Sequence, residues 1–160
     1  MSTSLPYLVL LILVANGAPV LIRHTLGDIA NYPLDAGKTW YDHSPVFGRS
    51  KTWRGIFSSV FFTIMVAVVL GYDFIFGFVV AVLAMAGDLL SSFIKRRLKM
   101  RPSQMAPLLD QVPESLFPAL YMMLVLLLRW QDVVLIVMAF IVLEFILSQI
   151  LYRLINMMRC

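Results

Sequence analysis

The chain has 160 residues, 61% of them apolar and 14% charged, with a formal net charge of +4 and a mean hydropathy of +0.87. Soluble domains average about 45–50% apolar and about 25% charged residues, so this composition excludes an ordinary water-soluble domain and points to the bilayer. The one cysteine, Cys160, excludes an intrachain disulfide.

The opening MSTSLPY carries no Lys or Arg, which argues against a signal peptide. Five apolar runs approach the roughly 20 residues that a spanning helix needs: 5–22, 55–71, 74–94, 116–128 and 133–155. The fourth is short; a start near Val112 would put Pro113 and Pro118 in its first turns, where proline is best tolerated. Two connections, 71–73 and 129–132, read as tight turns between antiparallel helices, whereas 23–54 and 95–115 are long loops. Lys and Arg sort sharply: each long loop holds five, Arg153 and Arg159 lie at the C-terminal end, and only Arg129 falls on the other side. By the positive-inside rule the basic face is cytoplasmic. The expectation is an all-α integral membrane protein: a single domain over 1–160, a five-helix bundle with its N-terminus outside, its C-terminus cytoplasmic and both long loops in the cytoplasm. No repeat or low-complexity segment divides it.

Polar residues inside the runs are the candidates for function. In the third run, Gly77, Ala81, Ala84, Asp88, Ser91 and Lys95 recur at steps of four and three, one stripe of a helix, with Ser92 beside it. Its small upper half allows a close helix neighbour. Asp88 stands about 10 Å above Lys95 at 1.5 Å per residue, a shallow level reachable from water. An ion pair with Lys51 or Lys95 that only locks packing is the alternative for Asp88. Asn16 lies in ANGAP of the first run, where Gly17 and Pro19 loosen the backbone. Glu144, with Ser148 a turn on, reads better as an interhelical hydrogen bond or a protonated acid than as chemistry.

The first loop, rich in Gly, Pro, Asp and aromatics, is long for a structureless connection. Gly48 and Gly55 flank a basic segment that opens the second helix. Amides at a helix N-terminus with Lys51 and Arg54 beside them suit a phosphate; a positive-inside anchor with Trp53 at the interface is the plainer alternative. Asp110 lies 22 residues beyond Asp88 on the same face. Two carboxylates among Lys and Arg suit a divalent cation bridging to phosphate oxygens. His24 and His43 lack metal-ligand spacing and read as surface residues. The chain has no G-x-x-x-x-G-K-[ST] loop, no G-x-S-x-G elbow and no D-G-x-x-A-R acid array.

ANGAPVL, PLDAGKTW, GRSKTWRG, GDLLSSFIKRRL and PLLDQ, in this order between residues 15 and 111, resemble the CDP-archaeol synthase family within the wider phosphatidate cytidylyltransferase group. The resemblance implies an Mg²⁺-dependent reaction in which CTP and a lipid phosphate give a CDP-lipid and pyrophosphate. Position by position, it implies that Asp88 and Asp110 hold the metal. Lys51 and Arg54 would reach the triphosphate, and Ser92, Lys95 and Arg96 would stand near phosphate groups. Asn16 matches an asparagine without an assigned role; Asp35 and Asp42 match loop acids that are structural or nucleotide-facing. The implied partners are CTP, a lipid phosphate and the bilayer of the cell membrane, with a second copy of the chain as an option and no nucleic acid. One departure stands out. The family pattern L-L-D-Q-x-D reads here Leu108–Leu109–Asp110–Gln111–Val112–Pro113–Glu114. Either Glu114 substitutes for the missing acid from one place on, or the metal loses a partner. In the second case the rival class is a degenerate, non-catalytic scaffold that binds anionic lipid.

Overall fold

Capping groups and prolines set the helix ends. The computed structural model describes residues 4–27, 29, 31–41, 44–100 and 106–158, and these form α1 (Leu5–Leu26), α2 (Trp53–Val69), α3 (Phe74–Arg97), α4 (Pro107–Leu126) and α5 (Trp130–Met158). Thr52 caps α2 by accepting from the Gly55 amide at 3.2 Å, and Asp73 caps α3 by accepting from Ile75 at 3.0 Å. Both bonds satisfy an amide that the first turn would leave unpaired. Asp42, His43, Arg101, Arg159 and Cys160 lie outside the described residues.

All five expected helices are present, and one boundary needs correction. The fourth helix starts at Pro107 rather than at 112 or 116, so Pro113 and Pro118 are interior residues and not first-turn residues. Pro107 stands in the first turn, where its fixed φ favours initiation. Asp110 then turns back to accept from the Ala106 amide at 3.2 Å, a return bond of the capping-box kind.

Apolar and polar packing separate along the bundle. The buried apolar cluster joins Leu8, Leu11 and Ile12 of α1 to Ala67, Phe76, Val80, Met122, Ile136 and Phe140. It occupies the end where α1 and α5 begin and α2 and α4 finish. In lipid, close contact rather than hydrophobicity holds helices together, and small residues supply it. A Cβ on Gly77 would lie 2.7 Å from Ala67 Cβ, and one on Gly87 would lie 2.3 Å from the Pro113 carbonyl oxygen. Ala81 and Ala84 of the expected small stripe are fully buried. Among the described residues α5 packs on α1 and α4 but not on α2 or α3. Among the described residues three helices are long and apolar enough to cross a membrane: α1, α3 and the Trp130–Ile150 part of α5.

Candidate functional site

The other end of the bundle is polar. The C-terminal halves of α1, α3 and α5 and the N-terminal ends of α2 and α4 meet there around a cavity of about 270 Å³. The alternation of helix direction puts positions as distant as Asn16, Lys51, Asp88, Asp110 and Glu144 on one wall.

The loop between α1 and α2 is shaped by Asp35. Its buried carboxylate accepts from the amides of Gly37 at 3.1 Å, Phe47 at 3.1 Å and Gly48 at 2.9 Å. Burial opposes ionisation, but these amide donors outweigh it and hold the carboxyl below its ordinary value of 3.8. Gly48 has φ of 90° and meets the Arg96 side chain at 3.9 Å from its would-be Cβ. These bonds fit the structural one of its two expected roles. The strand-like contact of Pro33 with Thr52, closed by Leu34 N–H donating to Lys51 O at 2.8 Å, delivers Lys51 to the cavity.

Lys51 pairs with the Asp88 carboxylate through both of its oxygens. Lys95 pairs with Asp110, 2.8 Å to Oδ2 and 3.0 Å to Oδ1. The ion pair named as the alternative for Asp88 therefore exists, and a second pair parallels it about two turns of α3 further on. Glu114 is nine-tenths buried, lines the same cavity and reaches the Asp88 carboxyl. The acid displaced by one place thus faces the cavity. Its path there is set by the close α3–α4 crossing, in which the Glu114 amide comes within 2.7 Å of a Cβ on Gly87. Among the described residues no three acid, His or Cys side chains converge as a ready-made metal cage; the two aspartates are engaged by lysines instead.

The remaining expected residues divide. Ser92 and Arg96 are buried and line the cavity; Arg96 also donates to Met100 O at 2.7 Å. Arg54 lines it as well, but its guanidinium fastens the loop after α1 by donating to Gly27 O at 3.0 Å and to Ile29 O. Asn16 lines it and donates to Ile12 O at 3.1 Å. Two cavity arginines, Arg23 and Arg49, were read from the sequence only as topology charges. Glu144 of α5 also lines the cavity, near the Gln111 side chain of α4. The sequence points to an interhelical hydrogen bond or a protonated acid at Glu144, not to a place in the cavity. Its spacing of four from the buried Phe140 and eight from the buried Ile136 carries the signal, because that spacing puts it on the inward stripe of α5.

Comparison with known proteins places this arrangement. A family model described as CarS-like, CDP-archaeol synthase, matches residues 69–159. The CDP-archaeol synthase of Hyperthermus butylicus is 37% identical over 106 residues, which cover 62% of this chain and 60% of that protein. That of Pyrococcus furiosus is 37% identical over 107 residues, covering 61% and 60%. That of Methanococcus maripaludis is 31% identical over 126 residues, covering 68% and 67%. The match thus spans about 60% of the length of the first two. A solved structure described as an intramembrane enzyme for archaeal membrane lipids biosynthesis superposes with a TM-score of 0.71 at 27% identity, over 90% of this chain and 91% of that one. The family model covers more than half of the chain and the bundle superposes on that of the solved enzyme, and the chain belongs to the CDP-archaeol synthase family.

Proposed function

We propose that the protein is a membrane-embedded CTP:lipid-phosphate cytidylyltransferase that forms a CDP-activated lipid and releases pyrophosphate in phospholipid biosynthesis. All five helices span the membrane, the N-terminus is outside, and the cavity opens to the cytoplasm of the cell membrane. The basic-face asymmetry supports that orientation. The observation that carries the reading is the convergence of Asp88, Asp110 and Glu114 with Lys51, Lys95 and Arg96 in one cavity at the polar end of the bundle.

The donor set fits Mg²⁺. Asp88 and Asp110, with Glu114 beside Asp88, offer oxygen atoms only, which suits a hard cation that takes one or two carboxylates and fills its other positions with water and phosphate. Asp88 and Asp110 would hold the ion, whose charge would offset that of the triphosphate. On loading, Lys51 and Lys95 exchange their carboxylate partners for phosphate oxygens. Arg96 and the Ser92 hydroxyl add donors to the same wall, and Arg23 and Arg49 attract the anion at the mouth. A polar cavity between lipid-facing helices admits a nucleotide from water and a phosphate whose tails remain in the bilayer. Glu114 standing in the cavity favours the enzyme over the degenerate scaffold, because it supplies the acid that Pro113 removes from its usual place.

The test uses the purified full chain in lipid with labelled CTP, Mg²⁺ and a panel of ether- and ester-linked lipid phosphates. A CDP-lipid from at least one of them is expected, and its absence from all would overturn the reading.

A further inference from the structure

The chain after α1 folds back onto α2 instead of standing away from the bundle. Arg54, the second residue of α2, donates from its guanidinium to Gly27 O at 3.0 Å and to Ile29 O. The Trp53 amide donates to Tyr32 O at 3.2 Å, and the Leu34 amide donates to Lys51 O at 2.8 Å. These bonds give the loop's backbone groups the partners they need. They also hold Ile29 and Tyr32 beside the first turn of α2.

What this docking leaves outside is apolar. Ile29 is 69% exposed and Tyr32 73%, next to Trp53 at 50% and Phe57 at 67%. Leu26, the last residue of α1, is exposed as well. Trp53, Phe57, Phe61 and Met65 recur every four residues and are all exposed, so they form one outward stripe of α2. In a spanning helix that stripe lies against lipid. Ile29 and Tyr32 carry it on past the helix start. The same stretch of loop also has an inner side, because Asn31, next to Tyr32, lines the cavity together with Arg54. The loop is a thin wall with the polar cavity on one side and apolar side chains on the other.

An exposed apolar patch marks a surface that something covers. Two features select the bilayer as the cover. The patch continues the lipid-facing stripe of α2, and Trp and Tyr are the side chains enriched where membrane meets water. We propose that Leu26, Ile29, Tyr32 and Trp53 form an interfacial rim seated in the headgroup layer of the cytoplasmic leaflet. This part of the loop is then a membrane-bound element, and its partner is the phospholipid of that leaflet. The inference rests on the reading of α2 as a spanning helix. The rim keeps the cavity mouth level with the lipid phosphates. A phosphate monoester whose tails stay in the bilayer reaches Asn31 and the lysines behind it without rising into water.

The experiment puts an environment-sensitive fluorophore on single cysteines of the full chain in nanodiscs of phosphatidylcholine and phosphatidylglycerol. Cys160→Ser removes the one native thiol. The labelled sites are Ile29→Cys, Lys38→Cys at an exposed position later in the same loop, and Phe61→Cys within α2. Interfacial side chains lie about 5–10 Å into the boundary between headgroups and acyl chains. The Ile29 label should therefore emit to the blue of the Lys38 label. Lipids spin-labelled high on the acyl chain should quench it, and aqueous iodide should quench it several-fold less than the Lys38 label. An Ile29 label as open to iodide as the Lys38 label overturns the proposal. So does an Ile29 label shielded from both quenchers, because a protein surface such as a second copy of the chain then covers the rim. A Phe61 label open to iodide removes the spanning reading of α2, and this inference falls with it. If Ile29→Cys does not insert, Trp53 carries the test in a Trp40→Phe, Trp130→Phe chain, where it is the remaining tryptophan. Brominated lipid should quench its emission more than iodide does, and the reverse order overturns the proposal.

Discussion

The Lys95 ammonium stands 2.8 Å from Asp110 Oδ2, and the Lys95 side chain is only 9% exposed. A lysine so covered needs its counter-charge: breaking a buried pair by removing one partner costs about 3–5 kcal/mol, and the partial exposure of Asp110 puts this pair at the low end. Asp110→Asn should therefore lower both activity and the melting temperature. Asp88→Asn removes the counter-charge of Lys51, which is more exposed, so its stability loss should be smaller. Outer-shell partners of a metal cost about 10–100-fold when lost; a ligand should cost more. Both variants should give less than about a hundredth of wild-type CDP-lipid formation. Near-normal turnover by a well-inserted Asp88→Asn protein would remove the metal assignment.

Glu114 reaches Asp88 from a position that is nine-tenths buried. If it serves in place of the acid displaced by Pro113, Glu114→Gln should preserve the fold, because the amide is isosteric. It should also raise the Mg²⁺ concentration for half-maximal activity by about 10–100-fold. Titrating activity with Mg²⁺ at saturating CTP measures this. An unchanged Mg²⁺ requirement would make Glu114 a packing residue only.

At Gly87 the α3 and α4 backbones meet so closely that an added Cβ would lie 2.3 Å from Pro113 O and 2.4 Å from its carbonyl carbon. Neither atom is the far end of a flexible side chain, so the helices must separate. Overpacking costs about 1–3 kcal/mol. Gly87→Ala should lower the melting temperature in detergent and, by moving Glu114 away from Asp88, reduce activity too. Gly17→Ala is the control, since a Cβ there meets nothing within 4 Å.

Hydropathy runs and the Lys/Arg sorting made all five helices legible, and the order of motifs brought Asp88, Lys51, Lys95 and Asp110 to one cavity before any coordinates. The start of α4 was not legible from apolar counting, because Asp110 and Gln111 interrupt the run. In the helix the same Asp110 closes the first turn on Ala106. Gly87 lies off the small-residue stripe, and its need for a missing side chain depends on Pro113, a partner on another helix. Glu144 reads in the sequence as an isolated acid; its place on the cavity wall depends on how α5 packs against α1 and α4. Arg54 was legible as a cation beside the phosphate site, but its bonds to Gly27 and Ile29 depend on the loop's path.

Asp35 gives a prediction with a definite pH sign. Burial alone would raise its pKa, but the amides of Gly48, Phe47 and Gly37 outweigh that and hold it below 3.8. A group whose folded pKa is depressed contributes stability that is fully present above its unfolded value and is lost as pH falls through the folded one. The wild-type loop should thus hold down to about pH 4 and loosen in more acid solution. Asp35→Asn keeps the shape but replaces charged acceptors by one neutral oxygen. Hydrogen bonds to charged groups contribute about 1.5–3 kcal/mol and neutral ones about half of that. The variant should be less stable at pH 7, and its stability should change little between about pH 5 and 2.5, where the wild type declines. Because the loop carries Lys51 and sets Gly48 against Arg96, Asp35→Asn should also raise KM for CTP at neutral pH. Fluorescence of Trp40, which packs edge-on against Phe93 of α3 at 5.5 Å, reports the loop directly. A variant whose acid response matches the wild type would show that the Asp35 carboxylate does not control the loop.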